Sequence, residues 1–137
     1  MKVCVFGKFP PIQGGVSTRT YWLAHELAKL GNDVHVITNA REVNAPYRMY
    51  MRAADWSRCD RSYEKGFVKV HWTESYGKHE WHIPSDIAHV TKLVSIGLQL
   101  AREQQIDLVY SHYLEPYSVA GDLVARMTGL PHIVRTM

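Results

Sequence analysis

The stretch from Lys2 to Gly31, KVCVFGKFPPIQGGVSTRTYWLAHELAKLG, restricts the fold more than any other part of the chain. Val3, Cys4, Val5 and Phe6 form a short unbroken apolar run, the pattern of a strand covered on both faces. Gly7, Pro10, Pro11, Gly14 and Gly15 break every regular period and predict a loop. Val16, Thr20, Leu23, Leu27 and Leu30 then recur at spacings of three and four, with Ala24 and Ala28 widening the stripe, so a helix follows. Lys29 suits its last turn and Gly31 its C′ position. Strand, glycine loop and helix make the first half of a βαβ unit, with the helix N-terminus aimed at whatever the loop holds.

Consecutive glycines at a helix start remove the Cβ atoms that would keep a ligand from the backbone N–H groups. Those groups lack intrahelical partners, and the helix dipole favours negative charge there. Gly14 and Gly15 therefore suit a phosphate or carboxylate, or else form a tight turn that requires positive φ and holds nothing.

Val34 to Thr38 is a second apolar strand, placed parallel to the first by a right-handed connection. A dinucleotide fingerprint would need GxGxxG after strand one and an acidic residue near the end of strand two. Here Lys8 and Phe9 follow Gly7, and Thr38-Asn39 ends the strand. No Gly-Lys-Ser/Thr closes the loop, so the P-loop pattern fails as well. Residues 39–65 show no sustained period; Tyr47, Tyr50 and Trp56 mix with Arg48, Arg52, Arg58 and Arg61. That mixture fits an acceptor-binding flap, a membrane-surface patch, or an irregular excursion whose aromatics pack on the domain. Phe67–Trp72 alternates in polarity, as a strand at a sheet edge does. A loop from Thr73 to Ile83 contains His79, Trp81 and His82; without a matching Cys or acidic pair at ligand spacing, these histidines are expected to be solvated, and no metal site is expected.

A long helix should open at Pro84-Ser85, with Ser85 as N-cap and Ile87, Val90, Val94, Gly97 and Ala101 on its inner stripe. Asp107–Ser111 reads as a fourth strand, Pro116 as the first turn of another helix, Gly129 as its C′ residue, and His132 onward as a fifth strand. Five strands alternating with helices predict an α/β fold, a doubly wound, Rossmann-like parallel sheet of order 3-2-1-4-5. Ligands in such sheets sit beyond the carboxyl ends of the strands where the order reverses. The loops there are 7–15 and 111–116, which brings Gly14, Gly15 and His112 to one crevice across nearly a hundred residues. His112 could donate to a ligand hydroxyl or carbonyl or carry a proton; its other reading is a histidine bonded to nearby backbone. Glu115 orients a neighbour or is a favourable anion at a helix start. His25 and His35 read as structural.

A formal charge of +3 with no Lys/Arg run gives no reason to expect nucleic-acid binding. Cys4 and Cys59 share no ligand spacing and read as free thiols of a reducing compartment. The chain enters its first strand directly from Met1, and no apolar run reaches membrane-spanning length, so a cytoplasmic location is expected, with peripheral contact at the inner membrane face as an option.

FGKFPPIQGGVSTRTYWLAHELAKLGNDVHVIT resembles the amino-terminal domain of GT-B-fold, retaining, nucleotide-sugar-dependent glycosyltransferases, the family of the phosphatidyl-myo-inositol mannosyltransferases and sucrose synthases. Asp107-Leu108-Val109-Tyr110-Ser111-His112 is similar to the family's strand ending in His, and Gly129-Leu130-Pro131 matches before strand five. The likeness spans nearly the whole chain but is weak over residues 40–83. It implies that Gly14 and Gly15 approach the donor diphosphate and sugar, and that His112 is catalytic, contacting the transferred sugar. Tyr47, Trp56 and Glu115 would lie on the acceptor side. The implied reaction moves a sugar from a nucleotide sugar to a glycan, lipid or small-molecule acceptor with retained configuration, with no metal or other cofactor. The family's carboxyl-terminal nucleotide-binding domain, with its paired glutamates, has no counterpart here. Residues 1–137 are therefore expected to be a truncated amino-terminal domain, its sheet incomplete at the last strand and inactive alone. A flavodoxin-like binding module for a phosphorylated ligand or partner and a GT-B-related sugar-nucleotide epimerase are the competing expectations.

Overall fold

The computed structural model describes residues 1–75 and 84–136. Its first unit is as expected: β1 (Lys2–Gly7), α1 (Gly15–Lys29) and β2 (Asp33–Thr38). A long connection holding a short α2 (Ala53–Ser57) and β3 (Arg61–Ser62) leads to β4 (Phe67–Trp72). Then follow α3 (Ile87–Gln104), β5 (Leu108–His112), α4 (Val119–Thr128) and β6 (His132–Arg135). The six strands form one sheet in the order β3-β4-β2-β1-β5-β6. Among the described residues five are parallel, in the anticipated order, and β3 runs antiparallel along the first two residues of β4.

Strand alternation divides the core into two layers. Val3, Val5, Val34, Val36, Val68 and Val70 pack beneath Ala24 and Ala28 of α1, joined by Phe9 and Cys59. On the opposite face, Cys4, Phe6, Ile37 and Val109 lie under Val90, Leu93 and Leu100 of α3 and Val124 of α4. Ser111 faces this second layer, where its hydroxyl meets His132 Nε2 at 2.7 Å beside Gly121. Both cysteines are free, and both are buried, although Cys59 follows a polar segment.

Several local expectations change: Ile87, expected on the inner stripe of α3, is exposed, as is Leu30, expected on that of α1. β4 is flanked by β3 at Phe67 and Val68, so its first two residues are not at an edge. The N-cap of α3 is Asp86, which accepts from His89 N at 3.1 Å, rather than Ser85. Pro116 does not open a helix: it sits in an irregular turn, Leu114–Ser118, and α4 starts at Val119. Proline disfavours helical backbone in the residue before it, and Glu115 is extended at φ −109°, ψ 138°. Residues 39–65 contain two 3-10 turns, α2 and β3, and are tied to the proline loop by Gln13 N–Tyr47 O (2.9 Å) and Met49 N–Pro11 O (2.7 Å). His79, Trp81 and His82 lie outside the described residues. Among the described residues no helix is long and apolar enough to cross a membrane.

Candidate functional site

β1 ends at Gly7, which pairs in register with His112 at the end of β5. A Cβ on Gly7 would lie 3.1 Å from Thr20 Cγ2 and 3.6 Å from His112 Cβ, so the bare backbone lets α1 settle close over the strand ends. Thr20 thereby reaches His112: its Oγ1 lies 3.0 Å from His112 Nδ1 and 2.9 Å from Val16 O. The single hydroxyl proton satisfies the Val16 carbonyl, which assigns the ring proton to Nδ1, donating to Thr20 Oγ1. Nε2 is then a bare lone pair, and it is buried with no partner among the described residues.

His112 is 1% exposed, and burial pushes its pKa down, helped by the positive fields of Arg135 and Arg19. The ring is thus held neutral in one tautomer. Such a nitrogen accepts a hydrogen bond from a hydroxyl; it is poorly suited to the donor or proton-carrying parts considered from sequence.

Gly14 is the N-cap of α1, at φ +117°, a conformation that favours glycine. Among the described residues, no atom beyond the adjoining backbone lies within 4 Å of a Cβ built on Gly14 or Gly15, so other parts of the fold do not cover them. One turn in, the buried Ser17 hydroxyl also lacks a partner among the described residues. The opposite lip is formed by Tyr113, at φ +83°, with the Lys8 ammonium 4.0 Å above its ring. Burial lowers the Lys8 pKa. Tyr113, Leu114, Glu115 and Thr136 line a cavity of about 410 Å³ beside it. Glu115 is exposed there and hydrogen-bonds to nothing among the described residues; its place at a helix start is lost with the late onset of α4.

On the α1 side, a cavity of about 290 Å³ opens between Pro10, Thr18, Met49, Tyr50, Met51 and Arg58. The aromatic, basic segment does reach the proline loop, but Tyr47 and Trp56 do not line this cavity. Tyr47 is joined to the loop through its carbonyl, and Trp56 packs edge-on against Trp72 at 5.5 Å. On the far side of β1, buried Glu42 accepts from Thr73 Oγ1 (2.6 Å) and Lys92 Nζ (2.5 Å), and Asn39 accepts from the Tyr117 hydroxyl (2.6 Å), which fixes α3 and the turn before α4 over the strand ends. Sequence alone does not mark Thr20, Ser17 or Lys8 as site residues. Thr20 lies in the helix stripe and looks like packing, and its partner is 92 residues away.

A family model described as "Glycosyl transferase 4-like domain" matches residues 14–136. No curated protein matches the chain. Among solved structures it is similar to the C-terminal domain (residues 83–215) of the PF1911 hydrogenase from Pyrococcus furiosus, at 15% identity and a TM-score of 0.56, covering 98% of this chain and 90% of that one. A second structure of that domain, residues 78–226, gives 14% identity and a TM-score of 0.54, covering 97% and 89%. At such identities the likeness is one of fold, an α/β sheet with helices on both faces.

Proposed function

We propose, from the premise that this chain belongs to the glycosyl transferase 4-like domain family, that its strand-end crevice handles the sugar of a nucleotide-sugar donor and passes it to an acceptor hydroxyl with retained configuration. Membership makes the chain part of a glycosyltransferase, acting between a sugar donor and an acceptor. The observation that supports the finer reading is that α1 carries both groups: its Thr20 holds the neutral His112 imidazole at the strand end, and its Gly14-Gly15 start is uncovered.

In this reading the N–H groups of the first turn of α1 face the donor diphosphate, where the helix dipole stabilises the charge that grows as the anomeric C–O bond breaks. His112 Nε2 accepts from a hydroxyl of the transferred sugar and orients the ring without adding charge beside the electron-poor anomeric carbon. The new glycosidic bond forms on the face the diphosphate leaves, and a phosphate oxygen takes the acceptor proton. The acceptor lies towards the Pro10–Thr18–Tyr50 cavity, whose largely apolar lining, with the Asp55–Arg58 pair beside it, suits a ring or chain bearing hydroxyls.

The test replaces His112 with Ala in the enzyme carrying this domain and follows nucleoside diphosphate release from a panel of nucleotide sugars with and without acceptors. Loss of one sugar-orienting hydrogen bond should lower kcat/KM on the order of tenfold to a hundredfold. Unchanged turnover would remove His112 from the sugar site. Acceptor-independent interconversion of the donor would replace transfer by epimerisation.

A further inference from the structure

Away from the crevice, a larger cavity of about 550 Å³ lies between the middle of α1 and the α2–β3 segment. We propose that it is a second ligand site, one that takes a phosphomonoester carried on a polyhydroxylated ring. Lys29, Arg58 and Arg61 all line it, and no carboxylate among the described residues does. Lys29 is bonded to Glu26 at 2.6 Å, and Arg58 is 3.9 Å from Asp55. Arg61 has no carboxylate partner among the described residues; its guanidinium lies over the Tyr63 ring, 5.0 Å from the centroid. A planar guanidinium with its donor fork free is matched to phosphate oxygens, and neighbouring cations add to the attraction.

The floor of the cavity is unusual in a complementary way. His25 is buried, its Nδ1 2.7 Å from the Tyr63 hydroxyl, and its Nε2 has no partner among the described residues. Burial, with the fields of Arg61 and Lys29, pushes this imidazole down to about 4, so positive charge stands around a neutral base. Trp22, at the cavity edge, is 55% exposed and set edge-on to Tyr21. An uncovered indole beside a cationic pocket offers a flat apolar face to the C–H side of a sugar or cyclitol ring, while the cations take its phosphate. The volume suits a ligand of that size. His25 is ten residues beyond Gly15 along α1, about 15 Å at the helical rise; Tyr21 and Arg58 also border the proline-loop cavity, whereas Arg61 does not, so Arg61 is the residue that separates the two sites.

Calorimetric titration tests it, with glucose 6-phosphate as the free ligand and phosphatidylinositol 4-phosphate in phosphatidylcholine vesicles as the membrane-borne one. Saturable binding of glucose 6-phosphate, stronger than that of glucose or inorganic phosphate, supports a soluble ligand; binding confined to the phosphoinositide vesicles supports a lipid headgroup. In either case Arg61→Ala should weaken binding at least about tenfold, and Arg58→Ala by less, with melting temperatures unchanged because both side chains are exposed. Trp22→Ala should weaken the ring compound but not inorganic phosphate. The proposal falls if neither probe saturates, if Arg61→Ala binds as wild type does, or if vesicles with phosphatidylserine at matched charge bind equally well. Nucleotide-sugar turnover in Arg61→Ala reports on the crevice separately, so the two readings fail independently.

Discussion

Replacing Thr20 with Val removes one hydroxyl and little else, since a methyl takes its place at almost the same volume. In the folded protein that hydroxyl accepts the Nδ1 proton of His112 at 3.0 Å in a site closed to water, with its own proton on Val16 O. Without it, a buried N–H is left with no acceptor, a penalty of about 1–3 kcal/mol. For a chain of this length each kcal/mol lowers the melting temperature by roughly 3–4 °C, so a fall of about 3–12 °C is expected. The functional effect should exceed what destabilisation explains. A ring no longer held in one tautomer presents the wrong nitrogen part of the time, and kcat should fall by about tenfold with a smaller change in KM. Thr20→Ser restores the hydroxyl and should recover most of both losses. Thermal melting, nitrogen-detected NMR of the His112 ring and steady-state kinetics read the three effects. A Thr20→Val protein melting within about 0.5 kcal/mol of wild type, with the Nδ1 proton and kcat intact, would refute the tautomer argument.

A methyl at Gly97 would lie 2.7 Å from Phe6 Cζ and 2.8 Å from Val124 Cγ2, so Gly97→Ala should prise α3 from the sheet and cost about 1–3 kcal/mol, measured by denaturant unfolding. Acid should destabilise the protein before its carboxylates titrate. His25 and His71 are each held near 4 against an ordinary value of 6.5, mainly by burial. The unfolded chain therefore binds more protons between those values, and stability is full above about pH 6.5, falls as pH drops towards 4, and gains no further slope from these groups below that. Melting temperature followed from pH 7.5 to 4 checks this; replacing His71 with Gln, which cannot ionise, should flatten the curve.

Long apolar runs and clean helical periods made β1, β2, β5, α1, α3 and α4 legible, and right-handed connection rules then ordered the parallel strands. β3 is two exposed residues whose pairing partners, Phe67 and Val68, lie beyond a turn, so no local pattern announces it. The start of α4 is not legible because a proline compatible with a first helical turn sits instead in an irregular one. At the site, topology alone brought His112 to the glycine loop. What it could not supply was the direction of the ring, which depends on a threonine hydroxyl in another element. Tyr47 and Trp56 illustrate the same limit: composition marked the segment, but Met49, Tyr50 and Arg58 are the side chains that line the cavity.

Ser111 and His112 are neighbours that face opposite layers: one hydroxyl wedged against Gly121 and His132, one imidazole under Thr20. A methyl on Gly121 would already stand 2.1 Å from Ser111 Oγ, so there is no room on that side for anything bulkier. Sliding β5 by a single position during assembly would drive a ring into this gap, the His112 imidazole in one direction and the Tyr110 phenol in the other. The tight gap on the α4 side thus disfavours either slip, because a misaligned strand cannot close its second layer, and the register that does close it is the one that sets His112 under Thr20.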